Sequence, residues 1–164
     1  MGSVILICGK ICSGKTHYAE RISEQENAVI LSCDEIAFDL SLNMIKDSDM
    51  HDDMMARIKS YLYKKTVEIA MHGTNVVLDF GFWSKEERES VSKYFKERNI
   101  IFQWHFIEIS DVDWKRNIEK RNQLVYTNQI NAYFLDQGLI SELLSKFEKP
   151  SKDEMDVWFI NHSA

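Results

Sequence analysis

A glycine-bounded loop near the amino terminus has residue types at a spacing that suits chemistry on phosphate groups. Residues 9–16 read GKICSGKT, directly after the apolar run VILIC at residues 4–8, and they fit the pattern GxxxxGK[ST] behind a predicted strand. Backbone N–H groups of such a loop face phosphate oxygens, and a helix that begins near Gly14 adds its positive end. Lys15 would reach the terminal phosphates, and Thr16 would offer a hydroxyl to Mg²⁺. This phosphate loop predicts binding of ATP or a related triphosphate through Gly9, Lys10, Ile11, Cys12, Ser13, Gly14, Lys15 and Thr16.

Two aspartates directly follow predicted strands, at the edge where ligands of open α/β sheets bind. Asp79 follows the third strand, which in folds with such a loop usually lies beside the first, so its carboxylate would approach the Mg²⁺ held by Thr16. Asp34 follows the second strand, where a substrate hydroxyl could approach the terminal phosphate in line. We therefore take Asp34 as the candidate general base and Asp79 as the candidate metal ligand. The alternative for either residue is a helix cap or turn aspartate.

A basic segment late in the chain could supply the positive charge that phosphoryl transfer demands. Lys115, Arg116, Lys120 and Arg121 crowd one predicted helix. If the two arginines border a mobile lid, one of them could touch the transferring group, a role worth about 10³–10⁵ in rate for arginine fingers. We favour Arg121 over Arg116. The alternative is a solvated helix face with Glu119 as the local counter-charge.

Apolar, β-rich runs alternate with stretches of helical spacing, the pattern of a parallel sheet covered by helices. The predicted strands cover residues 3–8, 28–32, 75–78, 100–109 and 157–160. Helices are predicted after the phosphate loop, over residues 34–45, before the third strand, and after the caps Ser84 and Ser110. Glu87 and Asp113, each three residues after its serine, complete a capping-box pattern.

The overall composition limits the classes of partner and compartment. A net charge of −6 and a pI near 5.4 disfavour a general nucleic-acid binder, although a local basic patch stays open. Three cysteines without metal-like pairing indicate a reducing, cytoplasmic environment. The apolar runs are far shorter than the roughly 20 residues that cross a bilayer, so we expect no membrane partner. The totals leave the oligomeric state open.

Together these positions resemble the P-loop kinase family, which includes the hydroxyl-kinase domains of polynucleotide kinases, zeta-toxin-like kinases and chloramphenicol phosphotransferase. The family pattern is a phosphate loop, a second strand followed by aspartate, a third strand ending in aspartate, and an arginine-bearing lid. Here these features are matched by residues 9–16, by SCD at 32–34, by VVLD at 76–79 and by RNIEKR at 116–121. Cys12 departs from the glycine that often stands at that loop position.

The resemblance implies a three-layer α/β fold of the P-loop NTPase type. We expect a mainly parallel five-stranded sheet of order 2-3-1-4-5 and a helical lid near residues 115–132, within a single domain of residues 1–164. The resemblance also implies that Asp34 activates an acceptor hydroxyl, while Lys15, Thr16 and a lid arginine bind ATP and Mg²⁺.

Three functions fit these features. The first is a Mg²⁺-dependent kinase that moves the γ-phosphoryl group of ATP to a hydroxyl, and the second is a nucleotide-binding switch or slow ATPase read by another protein. The third is a nucleoside monophosphate kinase, whose acceptor already bears a phosphate. It would need several arginines near the second strand and the following helices to bind that phosphate, and Arg57 alone is too few. The acidic total favours a small hydroxyl compound over a polynucleotide as acceptor. Four aromatic residues belong either to its pocket or to the core: Trp83, Tyr126, Tyr133 and Phe134.

Overall fold

Five parallel strands form one sheet at the centre of the protein. The computed structural model describes residues 1–45, 47–130 and 132–162. The strands are β1 (Val4–Cys8), β2 (Ala28–Leu31), β3 (Asn75–Gly81), β4 (Phe102–Ile109) and β5 (Val157–Asn161). Their spatial order is β2-β3-β1-β4-β5, and every neighbouring pair is parallel. The predicted α/β fold and strand order are thus confirmed, and the phosphate loop emerges from the central strand.

Helices follow the strands and cover both faces of the sheet. They are α1 (Lys15–Glu26), α2 (Cys33–Asp39), α3 (Ser48–Met71), α4 (Lys85–Lys96), α5 (Asp111–Tyr126) and α6 (Gln137–Lys146). The predicted caps form, since Ser84 accepts from the N–H of Glu87 and Ser110 accepts from the N–H of Asp113. The Glu87 carboxylate, however, pairs with Lys59 of α3. In the part of the chain that the structure describes, no helix is both long and apolar enough to span a membrane.

The central strand β1 is buried on both of its faces. Leu6 packs in a cluster with Leu62 of α3 and Phe95 of α4, whereas Ile7 packs on the opposite face with Ala19 of α1. Such two-sided burial explains why the strand appears in the sequence as an unbroken apolar run. It also fixes the position of the loop that follows.

Several predicted boundaries differ from the structure, and two of the differences lie near the candidate site residues Asp34 and Asp79. The helix expected over residues 34–45 is only α2, because Ser41 takes a left-handed φ of 56° and the chain continues as a 3₁₀ turn at Leu42–Met44. Asp79 does not end the third strand, because β3 continues to Gly81, which still pairs with Cys8 of β1. Asp79 nevertheless stays near the carboxyl edge of the sheet.

The predicted lid segment, residues 115–132, consists mostly of α5 after its first turn. Asn131 of that segment lies outside the described residues. Within the helix, the Asn122 side chain donates to the Leu135 carbonyl at 2.8 Å and accepts from the Leu135 N–H at 2.8 Å. Because Leu135 is itself buried, this pair anchors residues 132–136 against α5. A lid role for the segment stays a prediction.

A buried arginine joins the end of β3 to the segment that leads into β5. Arg88 is 3 % exposed, and its Nη1 donates to the carbonyls of Phe82, Trp83 and Glu148 at 3.1, 3.3 and 3.0 Å. Its Nε lies 3.2 Å from a Glu154 carboxylate oxygen. The fixed fork of guanidinium donors thus satisfies backbone acceptors from two distant segments.

Tyr18 of α1 and His105 of β4 form a buried polar pair across the sheet face. The Tyr18 hydroxyl lies 2.8 Å from Nδ1 of His105. Burial lowers the pKa of His105, although the charges of Asp156 and Glu26 oppose that change. The folded protein therefore prefers a neutral His105.

We expect the free energy of unfolding to decrease as the pH drops from about 7.5 to about 5.5, because His105 takes up a proton more readily in the unfolded chain. Because the folded-state pKa of His105 is lowered from 6.5, the unfolded chain takes up the proton first. The stabilising contribution is complete above the unfolded pKa and is lost as the pH falls below it. In urea unfolding, His105→Gln should lose less stability over this range than the wild type, whereas a variant of the exposed His72, His72→Gln, should follow the wild type. Equal losses in all three proteins would contradict the expectation.

Candidate functional site

The phosphate loop leaves β1 at the carboxyl edge of the sheet and turns into α1 through two left-handed residues. Cys12 has a φ of 58° and Gly14 a φ of 93°. Such turns aim successive backbone N–H groups into one concavity, which suits an anion. Cys12 holds its conformation without being glycine, at a cost of roughly 1–2 kcal/mol.

Helix α5 supplies hydrogen-bond donors to the outer side of the phosphate loop. Trp114 Nε1 donates to the Ile11 carbonyl at 2.7 Å, and Asn117 Nδ2 donates to the Cys12 carbonyl at 3.1 Å. Because the two side chains are three residues apart, they lie on one face of the helix. The Lys10 ammonium also sits 4.1 Å from the Trp114 ring centroid.

The next carbonyl of the loop is held from the far end of the chain. Asn161, the last residue of β5, donates from Nδ2 to the Ser13 carbonyl at 2.9 Å. On the other side of the loop, Lys15 Nζ donates to the Lys10 carbonyl at 2.8 Å. The four consecutive carbonyls from Lys10 to Ser13 therefore all have donors, so none of them is left unpaired in the loop.

Sequence reasoning missed Trp114, Asn117 and Asn161 as parts of this site. The first two were assigned only to a helix, and the last lay beyond the predicted end of its strand. The usable signal was the position of Asn161 at the carboxyl end of a strand, where ligands of such sheets bind.

Thr16 and Asp79 meet beside the phosphate loop, as the sequence predicts. Thr16 Oγ1 donates to Asp79 Oδ2 at 3.0 Å. Burial raises the pKa of Asp79, and the nearby charges of Asp34 and Glu20 raise it further, while Lys15 and the Thr16 hydrogen bond oppose the rise. A cation at this point would relieve the crowded negative charge.

These oxygens fit Mg²⁺. Magnesium is usually held by one or two carboxylates together with phosphate oxygens and several waters. Among the described residues, no group of three histidine, cysteine or acidic side chains forms a complete metal cage, so Thr16 and Asp79 would hold the ion together with phosphate and water.

Asp34 lies in the first turn of α2, directly beyond β2. Ser32 begins that helix by accepting from the N–H of Glu35 at 3.3 Å, which places Asp34 at the carboxyl edge of the sheet. The Asp34 side chain is exposed. Burial is the main cause that raises the pKa values of Asp79 and Tyr133, and the negative charge of Asp34 raises both further. Asp34 is thus accessible and close to the Thr16–Asp79 pair.

A small pocket of about 40 Å³ opens beside Asp34. It is lined by Asp34, Ala37, Phe38, His51, Met55 and Tyr133. The Tyr133 ring lies 5.3 Å from the Phe38 ring. Of the four aromatic residues considered from sequence, Tyr133 alone lines this pocket, and Tyr126 and Phe134 are exposed.

A larger hollow of about 750 Å³ lies elsewhere, between α4 and the start of β4. Its charged lining alternates in sign, with Lys93 and Lys96 beside Glu97 and Asp153. None of the predicted site residues lines it. Volume alone is therefore a poor guide to the site in this protein.

The two candidate arginines of α5 have different surroundings. The charge of the Arg121 guanidinium, together with that of Lys15, opposes the burial that raises the pKa of the Cys12 thiol, so Arg121 lies near Cys12. Arg121 Nε is buried and has no hydrogen-bond partner among the described residues. Arg116 instead lies 3.4 Å from Asp113 with about half of its side chain exposed. The structure therefore brings Arg121 to the phosphate loop and leaves Arg116 at the surface.

The chain belongs to the AAA domain family, whose sequence profile matches residues 4–138. No curated protein matches it. The match spans the phosphate loop, both aspartates and both arginines.

Solved structures share the whole fold at low sequence identity. The gluconokinase of Sinorhizobium meliloti 1021 matches with a TM-score of 0.67 and 15 % identity, over 99 % of this chain and 84 % of that one. Kti12 of Chaetomium thermophilum in complex with ADP-AlF3 gives 0.69 and 14 %, over 96 % and 88 %. The Mycobacterium tuberculosis APS kinase in complex with AMPPNP and APS gives 0.60 and 16 %, over 99 % and 90 %. The predicted P-loop kinase resemblance is thus confirmed at the level of the fold, which is a nucleotide-binding one.

We expect Gly14→Ala to lower ATP affinity by at least about tenfold, because the added Cβ would lie 2.3 Å from Asn161 Nδ2 and displace the loop. Gly73→Ala is the matched control, since Gly73 also has a positive φ, of 89°, but has no atom within 4 Å of an added Cβ. Both variants carry the conformational cost, and only the first has the steric clash. Calorimetric titration with ATP and Mg²⁺ would measure the difference, and equal affinities would contradict it.

Proposed function

We propose that this protein is a Mg²⁺-dependent kinase that transfers the γ-phosphoryl group of ATP to a hydroxyl of a small-molecule acceptor. One observation carries the proposal. Asp34 presents an exposed carboxylate at the carboxyl edge of the sheet, beside a pocket and within electrostatic reach of Asp79. A switch has no need of a base in that place, and an ATPase, which positions only water, has no need of an acceptor pocket there.

The phosphate loop would hold the nucleotide. Its backbone N–H groups would bind phosphate oxygens, and Lys15 would exchange the Lys10 carbonyl for the terminal phosphates. Thr16 and Asp79 would hold Mg²⁺, which would supply positive charge to offset the negative charge that develops on the leaving group.

Asp34 would orient the acceptor hydroxyl and take its proton. The hydroxyl oxygen forms a bond to the γ-phosphorus as the bond from that phosphorus to the β,γ-bridging oxygen breaks. The electron pair leaves with ADP, and the proton goes to the Asp34 carboxylate. The products are ADP and a phosphomonoester.

Arg121 would stabilise the transferring group. Its partnerless, buried Nε and its contact with Cys12 support this role, because a guanidinium with spare donors next to a phosphate site can bind an additional oxygen. Arg116 is the less favoured candidate, since Asp113 already neutralises it.

The charges of the protein disfavour two classes of acceptor. A polynucleotide acceptor is disfavoured by the net charge of −6. A nucleoside monophosphate acceptor is disfavoured because Arg57 pairs with Asp53 at 2.8 Å and faces solvent.

The free thiols of Cys8, Cys12 and Cys33 favour the cytoplasm as the compartment.

We expect Asp34→Asn to lower phosphoryl transfer by at least about 10²-fold, the usual worth of a general base, while ATP affinity changes only a few fold. Glu35→Gln removes a neighbouring exposed charge of α2 and is the matched control. The assay follows label from γ-labelled ATP into pooled nucleosides, sugars, antibiotics and oligonucleotides. Label found only in free phosphate would favour the ATPase, and unchanged transfer by the variant would remove Asp34 from the reaction.

Arg121→Met should lower kcat by about 10³-fold, within the range of arginine fingers, whereas Arg116→Met should change it only a few fold. Both variants keep the length of the side-chain stem, so the comparison isolates the guanidinium. Single-turnover transfer with the best acceptor from the pooled assay measures the effect. A larger loss for Arg116→Met would assign the role to the other arginine.

A further inference from the structure

The pocket beside Asp34 has walls from three separate parts of the chain. Helix α2 contributes Phe38, helix α3 contributes His51 and Met55, and the segment after α5 contributes Tyr133. Tyr133 is positioned there by its ring contact with Phe38 and by the anchored Leu135 two residues later. The pocket is therefore an assembled feature of the fold.

Its size restricts what can enter. A volume of about 40 Å³ has room for about three water molecules, since a cavity needs roughly 10–15 Å³ of this kind of volume to hold one. A hydroxymethyl-sized arm fits beside the Asp34 carboxylate. The remainder of a larger molecule would lie over the rings of Phe38 and Tyr133.

The charge of the pocket lining also restricts the ligands that can bind. Of the residues that line the pocket, Asp34 is the one with a permanent charge, and lysine and arginine are absent from the lining. His51 Nε2 lies 3.5 Å from the Tyr133 hydroxyl, and its Nδ1 lies 3.7 Å from an Asp52 carboxylate oxygen, which is beyond hydrogen-bond distance. An anionic group would meet the carboxylate of Asp34 without a compensating cation.

The cations nearest along α3 are already paired. Arg57 Nε lies 2.8 Å from Asp53. Lys59, one helical turn beyond Met55, lies 2.5 Å from Glu87 with about a quarter of each side chain exposed. Each of the two side chains therefore has an acidic partner that an incoming phosphate or carboxylate would have to displace.

We propose that this pocket selects the hydroxyl-bearing arm of an uncharged acceptor and excludes compounds with a phosphate or carboxylate next to the reactive hydroxyl. Phe38, Met55 and Tyr133 are the specificity-determining residues. As a statement about the acceptor, the inference rests on the proposed kinase function. The pocket's preference for uncharged groups is a property that binding alone can test.

Methyl NMR of the full chain, with ¹³C-labelled methionine and no nucleotide, tests the preference directly. Met55 is the reporter, assigned by the signal lost in Met55→Leu, and the exposed Met71 at the end of α3 is the internal control. Benzyl alcohol and benzoate are the matched probes, because they differ in the group that would face Asp34. We expect benzyl alcohol to shift the Met55 signal saturably and to bind at least about tenfold tighter than benzoate, with the Met71 signal unchanged.

Two variants make the test specific. Phe38→Ala should weaken benzyl alcohol binding at the Met55 methyl, whereas Phe134→Ala, an exposed aromatic outside the pocket lining, should not. Benzoate binding as tightly as benzyl alcohol would overturn the proposal, and so would the absence of a Met55 shift with either probe. Because this readout needs no ATP, its failure would leave the label-transfer result intact, and failure of label transfer would leave this result intact.

Discussion

The arrangement of the phosphate loop depends on where its carbonyl groups go. A loop that turns its N–H groups toward an anion must turn carbonyls outward, and a buried carbonyl without a donor costs about 1–3 kcal/mol. In this protein Trp114, Asn117 and Asn161 donate to three consecutive carbonyls. The three donors come from α5 and from the end of β5, so the correct loop geometry depends on the docking of both elements against the central strand.

A second constraint is the concentration of acidic groups at the same edge of the sheet. Asp79 is buried beside Thr16, and Asp34 lies close enough to raise the pKa of Asp79. Lys15 opposes this effect within the protein. In the proposed kinase, a divalent cation held by Thr16 and Asp79 would offset this negative charge when the phosphates of a nucleotide bind. The proposed exclusion of anionic acceptors follows from the same imbalance further along the crevice.

The sequence predicted the parts of the site that depend on local pattern. The phosphate loop and the post-strand position of Asp34 follow from glycine spacing and apolar runs, which are properties of short segments, whereas the strand order came from the family resemblance. The boundary errors have local causes as well. Ser41 ends the helical run by adopting a left-handed conformation that many residues avoid, and β3 extends past Asp79 because Gly81 still has a partner in β1.

The remaining parts depend on contacts between distant segments, which periodicity does not encode. Asn161 reaches a loop 148 residues earlier, and Trp114 reaches one 103 residues earlier. The different surroundings of Arg121 and Arg116 also depend on contacts between distant segments. Both lie on one helix, and only the docking of α5 against the phosphate loop decides which guanidinium meets Cys12.

The hydrogen bond between Lys15 and the Lys10 carbonyl has a thermodynamic consequence for every ligand of the loop. An incoming nucleotide competes with an internal acceptor that already occupies the ammonium group, so the free energy gained from Lys15 is a difference between two bonds. A hydrogen bond of a charged group has a net worth of about 1.5–3 kcal/mol, and this amount is subtracted from the ammonium–phosphate attraction. The loop stabilises itself before the ligand arrives, and binding requires the Lys15 side chain to change partner.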